Sequence, residues 1–213
     1  IRHGVNALAL PMHVGESLNL SVEERQELAR LAVEAASGRV PVLIHTGLPG
    51  TDEVGALSRH AQSVGAQGVV VITPYYWRPP RAALVDHFVA VASALDIQML
   101  AYNSPHQLGV SLTPDILKEL IERCPNFVGL KDASFDMEYF IEACRVTSEA
   151  RPGFAVFTGM EYLLSSMPVG GAGAFSFFGV APRLVKALYD ACAEGDYKRA
   201  LPLQYKMSHL RDI

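Results

Sequence analysis

Seven short apolar runs alternate along the chain with longer stretches in which apolar and polar residues recur at helical spacing. Most of the runs are rich in Val, Ile, Phe or Leu, and such near-continuous apolar segments predict strands that are buried on both faces. They occupy residues 5–11, 40–45, 68–73, 97–102, 127–131, 154–157 and 174–178.

The intervening stretches predict helices, two of which carry clear start signals. Ser21 and Glu24 have the spacing of a capping box, and Thr113 followed by Pro114 fits an N-cap with proline at the first helical position. The predicted helices cover residues 21–37, 52–64, 80–94, 113–124, 136–150, 182–193 and 196–210.

Strand followed by helix, at a spacing of roughly 30 residues, is typical of right-handed βαβ units and predicts a parallel sheet with helices outside it. Seven units are visible, so we expect one (β/α)8 barrel domain over residues 1–213 that lacks the first strand and the C-terminal helices of the full fold. The units would then be the second to the eighth. The competing architecture is a doubly wound open sheet, but residues 11–17, PMHVGES, match its glycine-rich phosphate turn poorly.

Composition narrows the function classes. The chain has 213 residues, half of them apolar, with 18 Lys and Arg against 22 Asp and Glu and no dense basic run, so we expect no nucleic-acid partner. Each apolar stretch is interrupted well before the roughly 20 residues that cross a bilayer, so we expect no membrane span. Three widely spaced cysteines without metal-ligand spacing favour reduced thiols and a cytoplasmic location.

Polar residues follow most of the predicted strands, at the barrel end where such folds carry their chemistry. The set comprises His13, Glu16, His45, Thr46, Tyr75, Tyr76, Tyr102, Asn103, Lys131, Asp132, Gly159, Glu161 and Ser176. Its few carboxylates lie on different loops, so we expect no metal site.

Lys131 closes the strand in the run GLKDASF, residues 129–135. Burial would lower its pKa and free a neutral amine, which can form an imine with a ketone and so make or break a carbon–carbon bond. Tyr102 ends the preceding strand and could move protons beside it. The alternative is that Lys131 reaches solvent and pairs with Asp132.

Four motifs occur together in this order: VGES at residues 14–17, TPYYWRP at 73–79, YNSP at 102–105 and GLKDAS at 129–134. In these motifs the chain resembles the dihydrodipicolinate synthase and N-acetylneuraminate lyase family of pyruvate-dependent class I aldolases. The resemblance runs over nearly the whole chain. It implies a (β/α)8 barrel, usually a homotetramer, that condenses a lysine with pyruvate or another 2-oxo acid and needs no other cofactor.

The resemblance also implies roles for individual residues. Lys131 would form the imine, Tyr102 would be the acid/base phenol, and Tyr76 would be a second relay tyrosine that reaches a neighbouring active site. His13 and Val14 lie in the turn that binds the substrate carboxylate, where the family's glycine and hydroxyl residues are replaced. Phe175 matches a strand position whose carbonyl faces pyruvate.

Gln107 stands where dihydrodipicolinate synthases carry an arginine for the carboxylate of their aldehyde substrate, and an amide lacks that bidentate charged grip. We therefore expect an aldolase that joins pyruvate to an aldehyde, or cleaves a 4-hydroxy-2-oxo acid, other than a true dihydrodipicolinate synthase. A dehydratase for 2-oxo-3-deoxy sugar acids using the same imine, a non-catalytic ligand-binding relative and a metal-dependent aldolase are the alternatives. His45 could contact substrate or be structural.

Overall fold

Seven parallel strands form one sheet in which each strand pairs with the next one along the chain, in the order β1 to β7. The structure is a computed structural model and describes residues 1–176, 179 and 181–210. The strands are β1 (Leu8–Leu10), β2 (Val42–His45), β3 (Gly68–Ile72), β4 (Gln98–Asn103), β5 (Phe127–Asp132), β6 (Ala155–Thr158) and β7 (Gly173–Ala174).

This sequential order excludes the doubly wound alternative, in which the strand order reverses in the middle of the sheet. It is the order of a (β/α)8 barrel opened along one seam, with β1 and β7 as the edge strands of the described sheet. The missing first strand remains a prediction.

The predicted strands are all present, but the last is shifted. The sequence pattern places it at residues 174–178, whereas the strand is Gly173–Ala174, and residues 177 and 178 lie outside the described part of the chain. Pairing continues irregularly to Phe175, whose N–H donates to the Thr158 carbonyl at 2.9 Å. The start of the strand at Gly173 was not predicted, because glycine does not contribute to an apolar run.

Nine helices flank the strands within the described residues. They are α1 (Val22–Ala36), α2 (Thr51–Ser63), α3 (Arg81–Ser93), α4 (Pro105–Leu108), α5 (Pro114–Arg123), α6 (Met137–Ala150), α7 (Leu163–Ser166), α8 (Pro182–Ala193) and α9 (Tyr197–Leu210). Sequence patterns do not predict the four-residue helices α4 and α7, which are too short to show helical periodicity. No helix in the described segments is long and apolar enough to span a membrane.

The two helix-start signals have different outcomes. The capping box is confirmed, since the Glu24 N–H donates to Ser21 Oγ at 3.2 Å and the Ser21 N–H donates to Glu24 Oε2 at 2.8 Å. Thr113 is the N-cap residue of α5 as predicted, but its side chain accepts no capping bond and its hydroxyl donates to Asp115 instead.

Alternation along the strands separates two apolar layers. Residues such as Ile44, Val69, Val71, Ala101 and Leu130 face outward and pack in one core with the helices, where Phe88 and Leu117 are fully buried. The alternate positions, including Val70, Ile72, Leu100 and Tyr102, form a second cluster on the inner face of the curved sheet. Because both faces are covered, side chains at the carboxyl ends of the strands are withdrawn from water.

Candidate active site

Lys131 lies on the inner face of the sheet near the carboxyl end of β5 and is 5% exposed. Its strand register places it beside Tyr102 of β4 and Phe157 of β6. The amine Nζ is 3.7 Å from the centroid of the Tyr102 ring and 5.6 Å from that of Phe175. The ammonium position is therefore walled by aromatic side chains instead of water.

Burial lowers the pKa of Lys131 from 10.5 to about 7. Lys131 makes no ion pair within the described chain, so desolvation is not offset by a carboxylate. The alternative in which Lys131 reaches solvent and pairs with Asp132 is wrong, because successive residues of a strand point to opposite faces. About half of the amine is neutral near pH 7.

Asp132 belongs to a hydrogen-bonded cluster behind the strands. Asn103 Nδ2 donates to Asp132 Oδ1 and Ser134 Oγ donates to Asp132 Oδ2, both at 2.8 Å. The Leu112 N–H donates to Asn103 Oδ1 at 3.0 Å, and the Tyr139 hydroxyl donates to the Leu112 carbonyl at 2.5 Å. This network joins the ends of β4 and β5, which carry Tyr102 and Lys131.

The polar ring predicted at the strand ends is therefore only partly correct. Asn103 and Asp132 belong to the network behind the strands, and Thr46 Oγ1 accepts a hydrogen bond from Ser58 of α2 at 2.8 Å. These three side chains do not share the face that holds Lys131. The prediction took every strand-end residue, whereas pleating brings only alternate ones to one face.

Tyr102 lies in the inner cluster with its ring face toward Lys131. Burial raises the pKa of its phenol, so Tyr102 stays protonated at neutral pH. The ring also meets the His45 imidazole edge-on, with centroids 6.3 Å apart. Tyr102 thus contacts both Lys131 and the end of β2.

The turn after β1 is a short 3-10 helix, His13–Gly15. Val14 is 59% exposed, and His13 is exposed as well. The Gly15 N–H donates to the Met12 carbonyl and the Glu16 N–H donates to the His13 carbonyl. The N–H groups of His13 and Val14 have no acceptor among the described residues, so they are free to bind an anion.

The remaining predicted site residues have more varied positions. Tyr76 is 88% exposed, has a φ of 76° and meets Trp77 edge-on, so it lies outside the buried cluster around Lys131. Gln107 is exposed on α4, and its Oε1 accepts a hydrogen bond from Ser104 Oγ at 2.6 Å. Phe175 is half-buried beside Phe157 and faces the Lys131 amine.

Arg25 is a residue that sequence reasoning missed. It is 1% exposed, and its guanidinium donates to the carbonyls of His45 at 2.9 Å and Gly47 at 3.3 Å, which fixes the end of β2. Arg25 shares the buried side of α1 with Ala29 and Ala36. The sequence did contain one indication that Arg25 is buried, because its helical spacing places it on the same face of α1 as small apolar residues.

No group of three or more His, Cys, Asp or Glu side chains is arranged as a metal-binding cluster in the part of the chain that the structure describes. All three cysteines are buried free thiols. The chemistry-bearing groups near Lys131 are therefore the amine itself, the Tyr102 phenol and the imidazole of His45.

The chain is similar to proteins of known sequence over nearly its full length. The family model described as the dihydrodipicolinate synthetase family matches residues 1–213. The 4-hydroxy-tetrahydrodipicolinate synthase of Methanospirillum hungatei is 38% identical over 209 residues, which are 97% of this chain and 70% of that protein. The probable 2-dehydro-3-deoxy-D-pentonate aldolase YjhH of Escherichia coli is 36% identical over 215 residues, covering 100% of this chain and 71% of YjhH.

Solved structures agree with this similarity. YagE, a prophage protein of the dihydrodipicolinic acid synthase family from E. coli crystallised in complex with pyruvate, superposes with a TM-score of 0.95 at 34% identity over 99% of this chain and 72% of YagE. Dihydrodipicolinate synthase from Aquifex aeolicus gives a TM-score of 0.94 at 34% identity, over 98% of this chain and 71% of that one. With a family model matched from end to end and relatives above 30% identity, the chain belongs to the dihydrodipicolinate synthetase family.

Proposed function

We propose that the protein is a metal-independent lyase that cleaves or forms a carbon–carbon bond of a 4-hydroxy-2-oxo acid through an imine at Lys131. One observation carries the proposal: a buried, unpaired amine with a pKa of about 7 lies against the face of a phenol. Two relatives also support it, since YjhH is a probable aldolase and YagE was crystallised in complex with pyruvate.

In the proposed cleavage reaction, the neutral Nζ of Lys131 attacks the 2-oxo carbon, and loss of water with uptake of one proton from solvent gives a protonated imine. Its positive charge forms 3.7 Å from the centre of the Tyr102 ring. A cation over an aromatic face in a desolvated site is stabilised by about 2 kcal/mol. The ring of Tyr102 therefore favours the charged intermediate independently of its hydroxyl.

The bond-breaking step needs a proton acceptor for the 4-hydroxyl group. Tyr102 is protonated at neutral pH, so it acts as a relay whose oxygen takes this proton while its own proton passes to a solvent water molecule. The C3–C4 electron pair moves into the iminium, an aldehyde leaves, and an enamine remains on Lys131. Protonation at C3 and hydrolysis then release pyruvate and the free amine.

The proposed substrates are acids with an uncharged hydroxylated tail. Gln107 offers no positive charge, and its carbonyl oxygen is already bonded to Ser104. YjhH is named a probable 2-dehydro-3-deoxy-D-pentonate aldolase and YagE a putative 2-dehydro-3-deoxy-D-gluconate aldolase, and both of these sugar acids have such a tail. A dehydratase would start from the same imine and eliminate the 4-hydroxyl group instead, so product identity separates the two reactions.

A homotetramer is part of the proposal. The exposed Tyr76 and Trp77 side chains, 88% and 79% exposed, present an aromatic surface that a second subunit could cover. In that arrangement Tyr76 would act at the partner's site.

Borohydride reduction with pyruvate should attach a stable adduct to Lys131, identified by peptide mass. The trapping rate should rise about tenfold between about pH 6 and about pH 8 and then level off, because the amine loses its proton near pH 7. Lys131→Arg should abolish the adduct, and Lys118→Arg on the exposed face of α5 should not change it. An unmodified Lys131 at saturating pyruvate would overturn the imine mechanism and favour a non-catalytic binding role.

Tyr102→Phe and Tyr102→Leu should separate the ring from the hydroxyl. The Phe variant keeps the aromatic face, so imine trapping should stay within about threefold of the parent while substrate cleavage falls by about 100-fold or more. The Leu variant should lose both efficient imine trapping and substrate cleavage. Equal cleavage rates in the parent and the Phe variant would rule out Tyr102 as the proton-transfer group.

A substrate panel should favour 2-oxo-3-deoxy acids with hydroxylated tails over condensation of pyruvate with an aldehyde that carries a carboxylate. We expect a preference of at least about tenfold in kcat/KM, measured by pyruvate release or consumption, because a charged hydrogen bond contributes roughly 1.5–3 kcal/mol. Gln107→Arg should reduce the ratio of the two kcat/KM values, and Gln107→Glu should increase it. A preference for the carboxylate-bearing aldehyde in the unmodified protein would contradict this substrate class.

Lys131→Met should increase the free energy of unfolding at pH 7. The folded-state pKa of about 7 lies below the ordinary 10.5, so the protein loses stability at and below neutral pH and recovers it as pH rises toward 10.5. The gain should be on the order of a few kcal/mol at pH 7 and smaller at about pH 9.5, at roughly 1.4 kcal/mol per pKa unit. Denaturant titrations measure it, with exposed Lys118→Met as the control. A gain independent of pH would show that the amine is not desolvated.

A further inference from the structure

Strand β2 ends in an imidazole that faces the inside of the curved sheet. Its neighbour Ile44 packs in the outer core, and Leu43 packs against the inner cluster. Because side chains alternate, His45 points to the same side as Leu43. It is 4% exposed and meets the Tyr102 ring edge-on.

Neither ring nitrogen of His45 makes a hydrogen bond of good geometry among the residues that the structure describes, although the Pro11 carbonyl lies close to the ring. Burial, followed by the charges of Arg25 and Lys131, lowers its pKa from 6.5 to about 3, and the backbone of Pro11 opposes this shift. His45 is therefore a neutral imidazole at physiological pH, with one N–H to donate and one nitrogen to accept. A buried polar side chain without partners is rare in folded proteins and needs an explanation.

The structural explanations are weak for this side chain. Arg25 stabilises the end of β2 through the carbonyl of His45, and that bond needs no imidazole. At position 47 a Cβ would lie 2.4 Å from Ile72 Cγ2 and 2.9 Å from His45 Nε2, so only glycine lets the backbone pack this closely against the ring. The local sequence thus holds a polar ring in place without giving its buried nitrogens a hydrogen bond of good geometry.

His45 also lies between the two parts of the candidate site. The Tyr102 ring contacts it on one side, with the Lys131 amine above the same ring. The charges of both Lys131 and His13 act on His45, which places it near the turn that carries the free N–H groups of His13 and Val14.

We propose that His45 is a substrate-binding residue that donates a hydrogen bond to the carboxylate of the 2-oxo acid held at Lys131. This inference rests on the proposed function, since it requires the 2-oxo carbon to be attached to Nζ. The carboxylate is bonded directly to that carbon, so it must lie within a few ångströms of the amine.

A carboxylate fits this position better than a hydroxyl group does. The guanidinium of Arg25 is buried and bonded to two carbonyls, so it is not available as a counter-charge. A neutral imidazole N–H and backbone N–H groups are then the available donors, and hydrogen bonds to an ionised acceptor are roughly twice as strong as neutral ones. A neutral donor also adds no positive charge beside the forming iminium.

The test compares the parent protein with His45→Leu and His45→Gln in borohydride trapping, using pyruvate and acetone as probes. Acetone forms the same lysine imine but has no carboxylate. His45→Leu should raise the pyruvate concentration for half-maximal trapping by about 10-fold to 100-fold, the effect of losing one hydrogen bond to a charged group. The half-maximal acetone concentration should stay within about twofold. His45→Gln, which keeps an N–H donor, should recover most of the pyruvate affinity.

The outcomes separate this inference from the proposed function. If the parent forms no adduct with either probe, the imine mechanism fails and the role of His45 fails with it. If the parent is trapped but His45→Leu changes both probes equally, or neither, His45 does not bind the carboxylate while the mechanism stands. A fall in the folded fraction raises both half-maximal concentrations by the same factor, so the ratio of the pyruvate value to the acetone value isolates the carboxylate contact even when a variant is less stable.

Discussion

The candidate site depends on the exclusion of water from one amine. Lys131 is held on the inner face of the sheet by its strand, among Tyr102, Phe157 and Phe175, and none of the residues that the structure describes supplies a negative charge that keeps it protonated. Its lowered pKa has burial as its cause, so the same packing that closes the inner core also prepares a nucleophile. If Asp132 faced inward, the pair would hold the proton on Lys131 and the amine would be unreactive.

The placement of Asp132 is therefore as important as that of Lys131. Strand pleating sends the carboxylate to the opposite side, where Asn103 and Ser134 satisfy its oxygens. Asn103 also binds the Leu112 N–H, so this polar network ties two strand ends to the loop before α5. The network uses buried polar groups that are hydrogen-bonded to one another, whereas on the inner face the described residues give Lys131 no ion pair and His45 no hydrogen bond of good geometry. On strands β4 and β5, the polar groups of the outer side are therefore hydrogen-bonded and fix the strand ends, while the inner side has an unpaired polar group that can bind a ligand.

The sequence pattern predicted the strands, the main helices and the parallel order, because two-sided burial leaves strong apolar runs and the capping box at Ser21 marks a helix start. It predicted Lys131 and Tyr102 as neighbours for the same reason, since consecutive parallel strands end at one edge. It could not predict which strand-end residues share a face with Lys131, because a shift of one residue in register reverses the assignment. The role of Arg25 could not be predicted, because its partners are backbone carbonyls and every residue type has one.

The unpaired donors of the candidate site have a common character. The Lys131 amine and the His45 imidazole are buried, the N–H groups of His13 and Val14 belong to an exposed turn, and the described residues around them offer no acceptor of good hydrogen-bond geometry. Leaving a buried donor unpaired costs roughly 1–3 kcal/mol, and a ligand that pairs with it removes that cost on binding. A small anion with an electrophilic carbon next to its carboxylate would engage all three kinds of donor at once. Under the proposed function, these unpaired donors would therefore contribute to selecting a 2-oxo acid, in addition to the contacts made by the rest of the site.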